Sequence, residues 1–130
     1  IPKDWVVTSE MVDLIKDKLE KISDAKDELS LFFKSPNVNK NSLSKQFPKN
    51  TGLVVVINSA IKYFLEIQTF DKNIFNEIMK KIQLDTNIGG KDLWQPVRFI
   101  LTGENHGPDL ASYISIIGIK ECLLRFKNAV

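Results

Sequence analysis

Cysteine, histidine and arginine are scarce in this 130-residue sequence. It has one Cys, Cys122, one His, His106, and among 18 basic residues only two arginines, Arg98 and Arg125. A single cysteine has no partner for an internal disulfide and fits a reducing, cytoplasmic setting. With so few ligands, neither CxxC nor HExxH spacing occurs, and no metal site is expected. Phosphate-cradling patterns of the GxxxxGK(S/T) and GxGxxG kinds are also missing. Cys122 falls on an apolar helical stripe, where a thiol behaves as a small apolar group, so a Cys122–His106 catalytic pair is not expected. Long apolar runs are lacking too. The densest, Leu53 to Ile57, is five residues, far short of the roughly 20 needed to cross a bilayer. No apolar stretch follows Ile1-Pro2-Lys3-Asp4-Trp5, and no Met precedes it, which reads as an excised fragment without a signal peptide.

Lysine is what remains. It carries 16 of the 18 basic positions, and the net charge is only +2, too little to argue for nucleic acid on its own. Distribution says more than the total. Glu10 to Glu28 holds seven acids against four lysines, whereas Lys34 to Asn50 holds Lys34, Lys40, Lys45 and Lys49 with no acid. That tract reads as a solvated loop or as a phosphate-facing strip. Arginine differs from lysine in offering a planar fork that binds two acceptors at once. Both arginines fall in the last third of the chain.

Apolar residues recur at helical spacing nearly throughout. Thr8 or Ser9 caps a helix bearing Met11, Ile15, Leu19 and Ile22, with a continuation through Ala25, Leu29, Phe32 and Phe33. Pro36 and the polar run after it mark an internal boundary. Thr51 is the expected cap of Leu53 to Leu65. LVVVI alone suits a buried strand, but Ile57, Ile61 and Phe64 continue a helical stripe. Asp71 caps the next helix, which Gly89-Gly90 ends. Pro96 suits the first turn of a short helix closed by Gly103; Gly107-Pro108 opens another, closed by Gly118, and a last helix carries Ile119, Cys122, Leu123 and Phe126. The class is all-α: two small helical lobes, residues 1–50 and 51–130, the first ending in the lysine-rich loop.

Within Lys91 to Val130 the order Leu93-Trp94-Gln95-Pro96-Val97-Arg98, Leu101-Thr102-Gly103, Gly107-Pro108, Leu110, Gly118 and Arg125 resembles the C-terminal end of glutamyl-tRNA synthetases. There an aromatic residue, Pro, a hydrophobic residue and Arg precede an Ala-Leu-Thr-Gly-like stretch, a Gly/Thr-Pro loop, Leu-Gly-Lys and an Arg-Leu pair. This chain has Ile117-Gly118-Ile119-Lys120, with the lysine one place late, and Arg125-Phe126. The likeness is specific over these 40 residues, agrees in helical layout from Thr51 to Ile88 and is looser over residues 1–50.

The resemblance implies an anticodon-binding domain of a class I aminoacyl-tRNA synthetase: a helical cage gripping the anticodon loop of tRNA(Glu) in a monomeric, cytoplasmic glutamate–tRNA ligase. DNA and membrane are not implied partners. The catalytic domain, with its ATP and Mg chemistry, would precede residue 1, so the chain is expected to bind tRNA without aminoacylating it; neither catalytic residue nor cofactor is expected within it. Carried over residue by residue, the contact set is Arg98 with His106, Gly107, Pro108 and Leu110, and Trp94 as a stacking candidate. Lys18 stands where the family has an arginine that helps read the last anticodon base; lysine lacks the fork, so discrimination against tRNA(Gln) would be relaxed.

Bland roles remain beside these. Arg98 also suits capping a neighbouring helix or pairing with Asp92 or Asp109, Trp94 a core position, His106 a solvated loop, and Arg125 a structural i,i+4 pair with Glu121. The competing reading for the whole chain is a helical protein–protein interaction domain.

Overall fold

The computed structural model describes residues 5–16, 29–30 and 32–130. Every regular element among them is helical: α1 Ser9–Ile15, α2 Lys40–Gln46, α3 Leu53–Phe64, α4 Lys72–Thr86, α5 Lys91–Thr102, α6 Leu110–Ile117 and α7 Ile119–Asn128. The all-α class holds, and Leu53 to Ile57 is helix. Among the described residues no helix is long and apolar enough to cross a membrane.

Local chemistry sets the boundaries. Thr8, not Ser9, caps α1, its hydroxyl accepting from Met11 N at 3.3 Å. Asp71 caps α4 through Ile74 N at 2.8 Å. Both satisfy backbone donors that a helix start leaves unpaired. The acid-free lysine tract is not all loop. Asn39 and Ser42 cap each other, with Ser42 N on Asn39 Oδ1 at 3.0 Å and Asn39 N on Ser42 Oγ at 2.8 Å, and α2 follows. Three further expectations are corrected. Thr51 caps nothing: Gly52 is the N-cap of α3, without a side-chain bond. Asn87, left-handed at φ 59°, ends α4 before the two glycines, since asparagine tolerates that region.

The third correction concerns Pro96, which lies inside α5 rather than in its first turn. A proline there cannot donate to the carbonyl four residues back. That carbonyl, of Asp92, instead accepts from Asn50 Nδ2 at 2.9 Å, while Asn50 Oδ1 takes Gly52 N at 2.9 Å. One asparagine thus completes the interrupted helix and fixes the entry to α3.

Packing forms two apolar clusters. The larger joins Val38 and Leu43 to α3–α7 around Ile57, Phe64, Phe75, Ile82, Leu101 and Phe126, so residues before position 51 also belong to it. Ser59 Oγ donates to Asp85 Oδ2 at 2.9 Å, tying α3 to α4. The smaller cluster gathers Met11, Ile15, Leu29 and Phe32 on Tyr113 of α6, with the Phe32 and Tyr113 rings 5.2 Å apart.

Arg125 holds the clusters together. It is 2% exposed. Its Nη1 donates to Leu101 O at 2.6 Å and to Tyr113 Oη at 2.7 Å, and Nη2 reaches Lys34 O at 3.4 Å. Nε meets Glu121 Oε1 at 3.0 Å, an oxygen that also accepts from Ser35 Oγ at 2.5 Å. The i,i+4 pair is real, and the guanidinium goes further by bonding three other parts of the chain. Gly103 lets the same region close up, because a Cβ there would sit 3.1 Å from Pro36. Arg125→Ala is expected to cost about 3 kcal/mol of unfolding free energy in a denaturant titration. That is the low end for a broken buried pair, because Glu121 keeps some contact with water. A loss within about 0.5 kcal/mol, the size of an ordinary surface change, would contradict this role.

Candidate nucleic-acid interface

Trp94, Arg98 and Thr102 follow one another at i,i+4 along α5, so they share a side of the helix. Thr102 is 2% exposed. Its hydroxyl lies 2.8 Å from Arg98 O and accepts from Glu104 N at 3.1 Å. That bond starts the turn out of α5, and Gly103, at φ 77° with its N–H on Phe99 O at 2.7 Å, completes it.

Arg98 controls the far side of the same loop. Its Nη1 donates to the Pro108 carbonyl at 2.9 Å. The guanidinium is half-buried, and its pKa is pushed down by desolvation, a shift that the negative charge of Asp109 opposes. No carboxylate among the described residues comes within ion-pair distance of Arg98, and no described acceptor occupies its Nε or Nη2. Pairing with Asp92 or Asp109 is therefore not what the described residues show, and the fork instead bonds a backbone carbonyl just ahead of α6. The fork braces the Gly-Pro corner and keeps donors to spare.

At the corner itself His106 is exposed and Gly107 and Pro108 are half-buried. Asp109 then caps α6, accepting from Ser112 N at 3.1 Å and Ser112 Oγ at 2.8 Å. The Ser112 hydroxyl is the main reason that the Asp109 carboxyl lies below its usual range; Lys72 and Arg98 add smaller positive contributions. Leu110 is 4% exposed and belongs to the larger core, so its side chain anchors the corner and offers no face to a ligand. Of the expected set, Arg98 and Pro108 are joined by a hydrogen bond, with Gly107 and the exposed His106 next along the chain. Lys18 lies outside the described residues.

Trp94 is neither core nor free platform. It is 38% exposed and meets Phe75 edge-on at 5.6 Å and 89°, so one part of the indole is packed and the rest is open. Beside it Asn76, Met79, Lys80 and Gln83 of α4 line a groove of about 290 Å³. The positive charge of Lys72, at the start of α4, is among those that lower the Asp109 carboxyl. Nothing in the sequence marks this side of α4. Lys72, Asn76 and Lys80 do recur every four residues on its polar face, but only the approach of α5 puts Asn76 and Lys80 beside Trp94.

Cys122 is fully buried, and burial pushes its thiol up to about 12, while His106 is exposed on the corner. The two do not form a nucleophile–base pair. Iodoacetamide at about pH 8 is expected to leave Cys122 unmodified in the folded chain and to alkylate it once denaturant is added, because the thiolate is the reacting form. Rapid alkylation without denaturant would contradict the packing.

An all-helical scaffold that holds an arginine fork, a half-open indole and a braced backbone corner together has the parts of a domain that reads single-stranded nucleic acid. The chain matches the family described as Anticodon binding domain over residues 3–130 and belongs to that family. Its relatives include a glutamate–tRNA ligase of Finegoldia magna, 30% identical over 121 residues, covering 93% of this chain and 24% of the relative. Glutamate–tRNA ligase 1 of Rickettsia felis is 32% identical over 115 residues, 88% of this chain and 24% of that protein. The same fold occurs in the crystal structure of a glutamate tRNA ligase from Elizabethkingia meningosepticum. It superposes with a TM-score of 0.76 at 21% identity, over 95% of this chain and 25% of the other. The chain thus spans about a quarter of the length of the relatives it matches.

Proposed function

We propose that the chain grips the anticodon loop of tRNA(Glu) and positions that tRNA for ATP-dependent glutamylation, as the RNA-reading part of a monomeric, cytoplasmic glutamate–tRNA ligase. The observation that carries this reading is the Arg98 guanidinium, half-buried beside the corner at Gly107 and Pro108, which among the described residues it braces with one of its donors. RNA loops are read where bases are splayed out, on their edges and by stacking. A planar fork suits both, and a corner whose backbone is fixed presents its own polar groups at defined positions. The ligase chemistry belongs to relatives of which this chain spans about a quarter. The residues described above supply grip and selection.

A second reading, a helical protein-interaction domain, has one observation in its favour. A mainly apolar groove of about 320 Å³ lies between α2, α3 and the last residues, lined in part by Leu43, Leu53, Val54, Ile57 and Val130. A partner there would bind with little sensitivity to salt and none to RNA sequence.

A fluorescence titration with an anticodon stem-loop separates the two. Binding is expected to weaken steeply with salt and to fall when anticodon bases are changed. Arg98→Ala is expected to weaken it by roughly 1–3 kcal/mol, the scale of a bidentate base contact, with the circular dichroism spectrum unchanged. Unaltered affinity in the folded variant, or equal affinity for every loop sequence, would overturn the proposal.

A further inference from the structure

Building on that reading, we infer that the groove between α4 and α5, bounded by Asn76, Met79, Lys80, Gln83 and Trp94, holds one further unpaired nucleotide of the same RNA loop, next to the nucleotide at Arg98. Three features of the groove match a nucleotide. The open part of Trp94 supplies a π-face, with the indole packed edge-on against Phe75. Such a face accepts any base. The Lys80 ammonium is exposed at the groove, where it can meet a phosphate. Asn76 and Gln83 bring side-chain amides, which both donate and accept, and so suit a base edge. Gln83 is not simply loose in solvent: a Cβ added to Gly89 would come within 2.9 Å of its carboxamide carbon. The side chain therefore lies close over the backbone that leaves α4.

The groove also continues the site already described. Trp94 stands one helical turn before Arg98 on the same side of α5. On α4, Lys72 lies near Asp109 at the corner, and Asn76 and Lys80 follow at successive turns towards the indole. A strand of RNA leaving the corner thus passes Lys72, whose charge Asp109 partly offsets, and reaches the Lys80 ammonium and an aromatic surface at the far end. With two amides and an ammonium set beside the indole and Met79, the groove suits a phosphate-bearing base better than a wholly hydrophobic peptide.

The test places 2-aminopurine singly at each loop position of a hairpin carrying the tRNA(Glu) anticodon loop and follows its fluorescence as the chain binds. One position is expected to be quenched by the parent chain and by Trp94→Phe, and left bright by Trp94→Ala, with affinity lowered roughly tenfold or more. Lys80→Ala is expected to reduce the salt slope by about one, and Gln83→Ala to weaken binding for some bases at that position more than for others. Both residues are exposed, so these two variants decide the matter if Trp94→Ala fails to fold. If all three bind with parental affinity and leave the fluorescence pattern unchanged while Arg98→Ala is impaired, the groove is no subsite and the anticodon reading stands. If the hairpin does not bind, or binds Arg98→Ala as tightly as the parent, the anticodon reading falls and the subsite with it.

Discussion

The buried guanidinium of Arg125 is the interaction on which the rest of the molecule depends. A charge so deep is tolerable only when its donors are used. Here the backbone of Leu101, the hydroxyl of Tyr113, the carboxylate of Glu121 and the carbonyl of Lys34 share them. Those partners come from α5, α6, α7 and the segment that follows the smaller apolar cluster. Tyr113 is also the ring on which that cluster packs, so one side chain sets the relation between the two cores.

The same bond matters for the candidate interface because Leu101 lies between Arg98 and Gly103. Fixing its carbonyl fixes the end of α5. Thr102 then directs the chain out of the helix, and Arg98 receives it back at Pro108. The loop is held at both ends by side chains of one helix, while its tip at His106 stays open. The two arginines divide the labour: one is consumed by the fold, and the other, among the described residues, gives it a single donor.

Much of this was readable in the sequence, for identifiable reasons. Caps at Thr8 and Asp71 announce themselves because a short polar side chain ahead of an apolar stripe has one favourable use. The turn at Gly103 was equally plain. Pro96 misled because proline favours a first turn, and only the distant Asn50 makes an interior proline tolerable at this point. Helix α2 was hidden for a similar reason: its sequence is polar, with Leu43 its single buried residue, so periodicity could not reveal it. In the site, Arg98 and the corner stood out by rarity and by resemblance. The α4 side chains beside Trp94 did not, because ordinary lysines and amides gain meaning only from what packs against them.

On the proposed function, the corner and the adjoining sides of α4 and α5 face RNA. Amide hydrogen exchange of the chain with and without an anticodon stem-loop tests it most directly. Slowed exchange is predicted across 103–109 and at the start of α4, with the backbone around Val54 and Val130 unaffected. Protection confined to the groove beside Val54 and Val130, with the corner exchanging as fast as in the free chain, would contradict it.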